Sequence, residues 1–134
     1  MQIIKYAFQQ HGDERGMLVA LEQYGDIPFE IKRVYYMYQT KKDVRRGFHA
    51  HKSLQQILVW IHGSCKVLLD NGTEKKTISL ERPYEGLYVA NNMWREMYNF
   101  SEDAVLLVLA SEMYQEEDYI RDYEEFLAWV KKEG

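Results

Sequence analysis

Between Gly16 and Ala110 the chain is a succession of short runs of strand-forming residues, each closed by a turn signal. That pattern constrains the fold more than any other feature, because alternation with a period of two belongs to strands packed against a core. Strands are expected over Gly16–Glu22, over Ile31–Gln39, over His49–Ile61 as one long strand or a pair, and over Ser64–Asp70. Others follow over Lys75–Leu80, Gly86–Ala90, Met93–Phe100 and Ala104–Ala110, the last apolar enough for a buried central strand. Asn71-Gly72 is the strongest two-residue hairpin signal in the chain. From Glu116 the period changes, and Tyr119, Ile120, Tyr123, Phe126, Leu127 and Val130 recur at three- and four-residue spacing. The spacing predicts an amphipathic helix over about 116–132, packed outside a β domain, with Lys131 and Lys132 at its negative end. Many strands and one terminal helix in 134 residues indicate a single all-β domain over 1–134, its strands within about 1–111, of the jelly-roll kind.

Eleven tyrosines, five phenylalanines and three tryptophans suit a β domain with a lined cavity. A net charge of −4 argues against a nucleic-acid binder, and no window is apolar enough to span a bilayer. Cys65 is the only cysteine, so no intrachain disulfide forms, and it reads as a small buried strand residue. The start Met1–Lys5 lacks an apolar stretch of signal-peptide length, which makes the cytoplasm the expected location.

The segment Arg46-Gly47-Phe48-His49-Ala50-His51 carries the chemistry. In an extended strand His49 and His51 share one face, with an arginine just upstream. Two imidazoles near neutrality can ligate a metal or move protons. The spacing Gly-x-His-x-His, followed by a strand and a glycine turn, resembles the first motif of the cupin superfamily. Metal-binding cupins continue with a glutamate and a later third histidine. Here Gln55 or Gln56 stands in place of the glutamate and Arg95 in place of that histidine. An amide is a poor ligand without charge, and a guanidinium has no lone pair to give and repels a cation. His11 and His62 read as surface histidines. Proton transfer is therefore the expected chemistry, with no metal and no cofactor. Lys41 and Lys42 read as a solvated loop. Arg46, Arg95 and Arg15 suit an anionic ligand, since a guanidinium grips phosphate in a fork geometry.

Longer strings carry a more specific resemblance. Ile27-Pro28-Phe29, Ile31-Lys32-Arg33-Val34-Tyr35-Tyr36, Arg46 to Lys52, Gln56, Gly63 to Val67, Gly86 to Val89, Trp94-x-Glu96-Met97, Val108 to Ser111 and Asp118-Tyr119-Ile120-Arg121 occur in order. Together they resemble the bacterial dTDP-sugar 3,4-ketoisomerases, from about residue 12 to about residue 123. Asp13 to Gly16 and Arg46 to His49 are also similar to the related dTDP-sugar 3,5-epimerases. The resemblance implies a metal-free, cupin-type jelly-roll barrel that converts dTDP-4-keto-6-deoxy-D-glucose to a dTDP-3-keto-6-deoxyhexose. That product would be aminated at carbon 3 to a 3-amino-3,6-dideoxy sugar, for lipopolysaccharide or an S-layer glycan. It further implies a homodimer with exchanged N-terminal strands, in which Arg15 completes the neighbouring subunit's site.

By analogy with the epimerases, His49 is the expected base and His51 its partner or shuttle, with Arg95 or Tyr36 stabilising an oxyanion. Arg15, Arg33, Tyr35, Arg46, Lys52, Gln56 and Trp94 are the expected substrate-binding residues. Alternation along Arg33–Tyr38 leaves open which tyrosines face inward. The positions of Arg15 and Arg95 accompany the choice between galacto and gluco configuration at carbon 4, and arginine at both fits neither group. A 3,5-epimerase, a non-catalytic cupin that binds a sugar nucleotide, and a metal-dependent oxygenase are the rival readings.

Overall fold

The computed structural model describes residues 1–133. The strands are β1 (Ile4–Ala7), β2 (His11–Asp13), β3 (Gly16–Leu18), β4 (Arg33–Met37), β5 (Arg46–His51) and β6 (Gln56–His62). They continue as β7 (Cys65–Asp70), β8 (Lys75–Leu80), β9 (Glu85–Val89), β10 (Trp94–Tyr98), β11 (Val105–Ala110) and β12 (Tyr119–Ile120), and helix α1 (Tyr123–Glu133) closes the chain. Two five-stranded antiparallel sheets form, in the orders β1-β9-β6-β11-β4 and β12-β5-β10-β7-β8, and β2 and β3 make a separate hairpin. The architecture is the all-β domain that the strand pattern predicts, consistent with the cupin-like fold that the resemblance implies. The strand pairings form two open sheets rather than one continuous barrel wall.

Leu58 and Trp60 of β6, Val67 and Leu69 of β7, and Leu106 and Val108 of β11 are buried together between the two sheets. Cys65 belongs to this core, as its strand position predicts. The alternate residues of β6, Ile57 and Val59, are buried on the other face with Phe8, Ile27 and Phe29. A strand covered on both sides has no polar face to show, which is why β6 reads as a continuous apolar run. A third cluster, Ala50, Trp94, Ile120 and Phe126, seals the second sheet under α1.

The structure alters several boundaries. Over 49–61 the structure takes the second of the two expected alternatives, a pair of strands, whereas only Gly16–Leu18 of the expected 16–22 strand is paired. Asn71-Gly72 lies in a four-residue connection, since Asp70 pairs with Lys75. Asn71 Oδ1 accepts hydrogen bonds from the Thr73 and Glu74 backbone N–H groups, and this Asx turn spans the wider loop. Helix α1 begins at Tyr123, not near 116. Asp122 caps it, accepting from the Glu124 N–H, and the stretch before it is a 3₁₀ turn (Glu116–Asp118) followed by β12. Among the described residues no helix is long and apolar enough to cross a membrane.

Candidate active site

Strand β5 builds one wall. Its middle is broken by a bulge: Arg95 of β10 pairs with His49, the next residue Glu96 pairs with Gly47, and Phe48 is left over. Gly47 (φ +94°) and Phe48 (φ +59°) both take left-handed backbone to make it. Only glycine fits at 47, because a Cβ there would stand 2.9 Å from the Arg95 carbonyl oxygen. The bulge has a functional consequence. Strict alternation would put Arg46 and His49 on opposite faces, whereas the observed register sets Arg46 opposite Met97, on the face of His49 and Arg95.

On that face the two imidazoles meet edge to face, with ring centroids 5.0 Å apart. His51 is fully buried and neither ring nitrogen has a hydrogen-bond partner. His49 is half-buried, and its Nδ1 lies 3.2 Å from the Gly47 carbonyl oxygen. Beneath them Arg95 is almost wholly enclosed; its Nε and Nη2 donate to the Met93 carbonyl and its Nη1 donates to Gln56 Oε1. Gln56 Nε2 in turn donates to the Tyr35 hydroxyl at 3.0 Å. Arg33 lies with its guanidinium 4.6 Å from the Tyr35 ring, one of its terminal nitrogens buried without a partner.

The electrostatics follow from this arrangement. Burial pushes the His49 imidazole down to about 3 and that of His51 to about 2, with the Arg95 charge the next cause in each. Both rings are thus neutral at physiological pH, each with one ring nitrogen that keeps its lone pair. Burial lowers Arg95 itself to about 10, still a cation, and raises the Tyr35 hydroxyl. A neutral imidazole pair over a fixed positive charge suits a reaction in which negative charge develops on substrate oxygen.

Tyr119 is the residue that sequence reasoning missed. Strand β12 pairs Tyr119 with His51, and its ring lies 4.3 Å from the His51 ring and 5.1 Å from that of His49. Arg121 stacks over Tyr119 at 4.2 Å and is held by Glu116, whose carboxylate also accepts from the Tyr114 hydroxyl. The signal was present in Asp118-Tyr119-Ile120-Arg121, but a helical period running through the segment concealed a strand.

Of the expected site residues, the structure brings together His49, His51, Arg95, Arg33, Tyr35 and Gln56, with Arg46 on the same sheet face. Four others lie elsewhere. Tyr36 is on the opposite face of β4 from Tyr35, exposed and stacked with Tyr38, so strand alternation removes it from the pocket. Trp94 precedes Arg95 and so faces outward, buried against Tyr123 and Phe126. Lys52, one residue past His51, lies over the Trp129 ring of α1 for the same reason. Arg15 projects into solvent on the β2–β3 hairpin, paired with Asp13. His11 and His62 are exposed, as expected. Among the described residues no three of His, Cys, Asp and Glu converge as metal ligands would.

The family described as FdtA: WxcM-like, C-terminal matches residues 1–131. The TDP-4-oxo-6-deoxy-alpha-D-glucose-3,4-oxoisomerase of Aneurinibacillus thermoaerophilus is 51% identical over 125 residues, 93% of this chain and 90% of that protein. The crystal structure of a 3,4-ketoisomerase from Helicobacter canadensis superposes with a TM-score of 0.94 at 53% identity, covering 98% of each chain. That of QdtA, a sugar 3,4-ketoisomerase from Thermoanaerobacterium thermosaccharolyticum in complex with TDP, gives 0.95 at 46% identity, covering 98% of this chain and 96% of that one. By a match that takes in both walls of the histidine site, the chain belongs to the WxcM-like, C-terminal family.

Proposed function

We propose that the protein is an isomerase, a dTDP-4-keto-6-deoxy-D-glucose 3,4-ketoisomerase that gives a dTDP-3-keto-6-deoxyhexose. The observation that carries this reading is the pair of neutral imidazoles, His49 and His51, set over the buried Arg95 guanidinium. The hydrogen on carbon 3 is acidic because it lies beside the carbon 4 keto group. His49 takes it, giving an enediolate whose negative charge Arg95 stabilises through space. A proton moves from the carbon 3 hydroxyl to the carbon 4 oxygen, the proton taken by His49 passes to His51, and His51 delivers it to carbon 4. The keto group has then passed from carbon 4 to carbon 3 with no net oxidation.

Tyr35 replaces Tyr36 as the inward hydroxyl, oriented by Gln56. Arg33, with a buried terminal nitrogen that has no partner, and Arg46, on the histidine face of β5, are the candidates to grip the diphosphate. A second copy of the chain completes the site: β4 is a sheet edge with Val34 and Tyr36 exposed, and the hairpin carrying Arg15 exposes Met17 and Leu18. The homodimer with exchanged N-terminal segments would bring Arg15 to the partner's ligand. Its substrate, a nucleotide sugar, and its place before an aminotransferase fit a cytoplasmic enzyme of deoxysugar biosynthesis for surface glycans.

The test is to incubate the protein with dTDP-4-keto-6-deoxyglucose and follow the sugar by NMR. A 3-keto product, trapped by reduction or amination, supports the reading and reports the configuration at carbon 4. A substrate returned unchanged despite tight dTDP binding would leave a binding cupin.

A further inference from the structure

His51 is buried, is flanked by cations and has no hydrogen-bonded neighbour, yet an acidic oxygen stands close to it: Asp118 Oδ2 lies 3.4 Å from its Nδ1. Asp118 is itself largely buried and is fixed by the turn that follows β5. Its Oδ1 accepts from the Ser53 N–H at 2.9 Å and its Oδ2 from the Leu54 N–H at 3.2 Å, while its carbonyl accepts from the Lys52 N–H at 2.9 Å. Three consecutive backbone donors thus hold one residue at the end of the strand that carries His51.

The other groups around His51 are of the wrong kind to set its proton. Arg95 on β10, Arg33 on β4 and Arg121 beyond β12 are cations, and His49 and Tyr119 present rings. Every charge among these opposes an imidazolium. A carboxylate at Nδ1 does the reverse, because it accepts from a ring N–H and favours positive charge on the ring. The 3.4 Å separation is a few tenths of an ångström outside hydrogen-bond range (about 2.7–3.2 Å), a gap of the size that closes when a catalytic site takes up its substrate.

We propose that Asp118 is the positioning residue of His51: it keeps the neutral ring's proton on Nδ1, leaves Nε2 free to take up the proton that His49 removes, and supplies the counter-charge when the ring becomes an imidazolium. Its kinetic consequence rests on the ketoisomerase reading; its tautomeric consequence does not. The histidine pair is then asymmetric. His49 Nδ1 faces a neutral backbone carbonyl, whereas His51 Nδ1 faces an anion, so His51 is the better holder of a proton in transit.

The experiment is ¹⁵N NMR of the whole protein labelled at histidine, with the His51 signals assigned by their loss in H51N. The wild type is expected to show a protonated Nδ1 and a bare Nε2 at His51. Asp118→Asn retains an acceptor for the turn but can offer Nδ1 an N–H, which moves the ring proton to Nε2. Its turnover should fall about 100-fold or more, with the KM for the keto sugar within about threefold of wild type. A wild-type His51 protonated at Nε2 overturns the proposal, whether or not D118N folds. So does a folded D118N with wild-type turnover and an unmoved tautomer. A protein that shows the expected tautomer but never converts the keto sugar sinks the ketoisomerase reading and leaves the pairing intact.

Discussion

The two faces of the β5–β10 ribbon differ as sharply as a solvent and a core, although their residues alternate along the same two strands. Inward lie His49, His51 and Arg95, all polar, with the guanidinium and the His51 ring enclosed. Outward lie Ala50 and Trp94, packed under Phe126 and Ile120. On the inner face burial raises the energy of charge and so keeps the imidazoles neutral. On the outer face burial supplies the apolar contact that holds the ribbon still. The two are joined at the strand ends, where the Trp129 indole N–H donates to Asn92 Oδ1 and the Asn92 N–H donates to the His51 carbonyl. Through this relay the helix, which touches none of the chemistry, is tied to the His51 backbone.

Breaking the inner face alone should have the largest effect. His49→Asn is expected to lower turnover about 1,000-fold while dTDP affinity, read by calorimetry, stays within about threefold. Near-wild-type turnover in that variant would remove His49 from the chemistry. Breaking the outer face should act on stability first: Trp94→Ala is expected to cost about 3–5 kcal/mol in urea unfolding. A loss below about 1 kcal/mol would mean that the helix is not anchored there.

The inner face can also be probed by pH. The unfolded imidazoles titrate near the ordinary value of about 6.5, whereas in the folded protein they titrate at about 3 and about 2. Below about pH 6.5 the unfolded chain therefore binds more protons, and stability falls with pH by up to about 1.4 kcal/mol per unit for each histidine. The contribution is whole above neutrality and shrinks toward pH 3. Urea unfolding at pH 7, 6 and 5 should show this slope, and H49N should remove part of it; a flat response would contradict neutral burial. The smallest effects sharpen the comparison from outside. Lys52→Ala and Tyr36→Phe should each leave kcat/KM within about threefold, because both side chains face away from the histidines. A tenfold loss in either would put that side chain back in the pocket.

Much of this site was legible because strands obey parity. His49 and His51 two residues apart could only share a face, and Arg95 follows from its place in the later motif. Parity also excludes Trp94 and Lys52, each one residue from an inward partner, and the resemblance carried them in only because it names strings and not faces. The tyrosines of β4 could not be sorted, since Arg33-Val34-Tyr35-Tyr36 has no polar face to mark the outside. Two features lay beyond periodicity. The bulge at Phe48, which turns Arg46 inward, depends on a register that local sequence does not contain. Strand β12 is two residues long and exists through its pairing with His51 and Ala50, so its apolar spacing read as the first turn of α1. Tyr119 was lost with it.

The measurement that tests the central claim most directly is isomerisation of dTDP-4-keto-6-deoxyglucose in D₂O, with enzyme first stripped by chelator, and deuterium located by NMR. Transfer by the histidine pair predicts full turnover after chelation, with deuterium at carbon 4 of the product and, in substrate re-formed by the reverse reaction, at carbon 3. Label at carbon 5, or turnover abolished by chelation and restored by a divalent ion, would contradict the account.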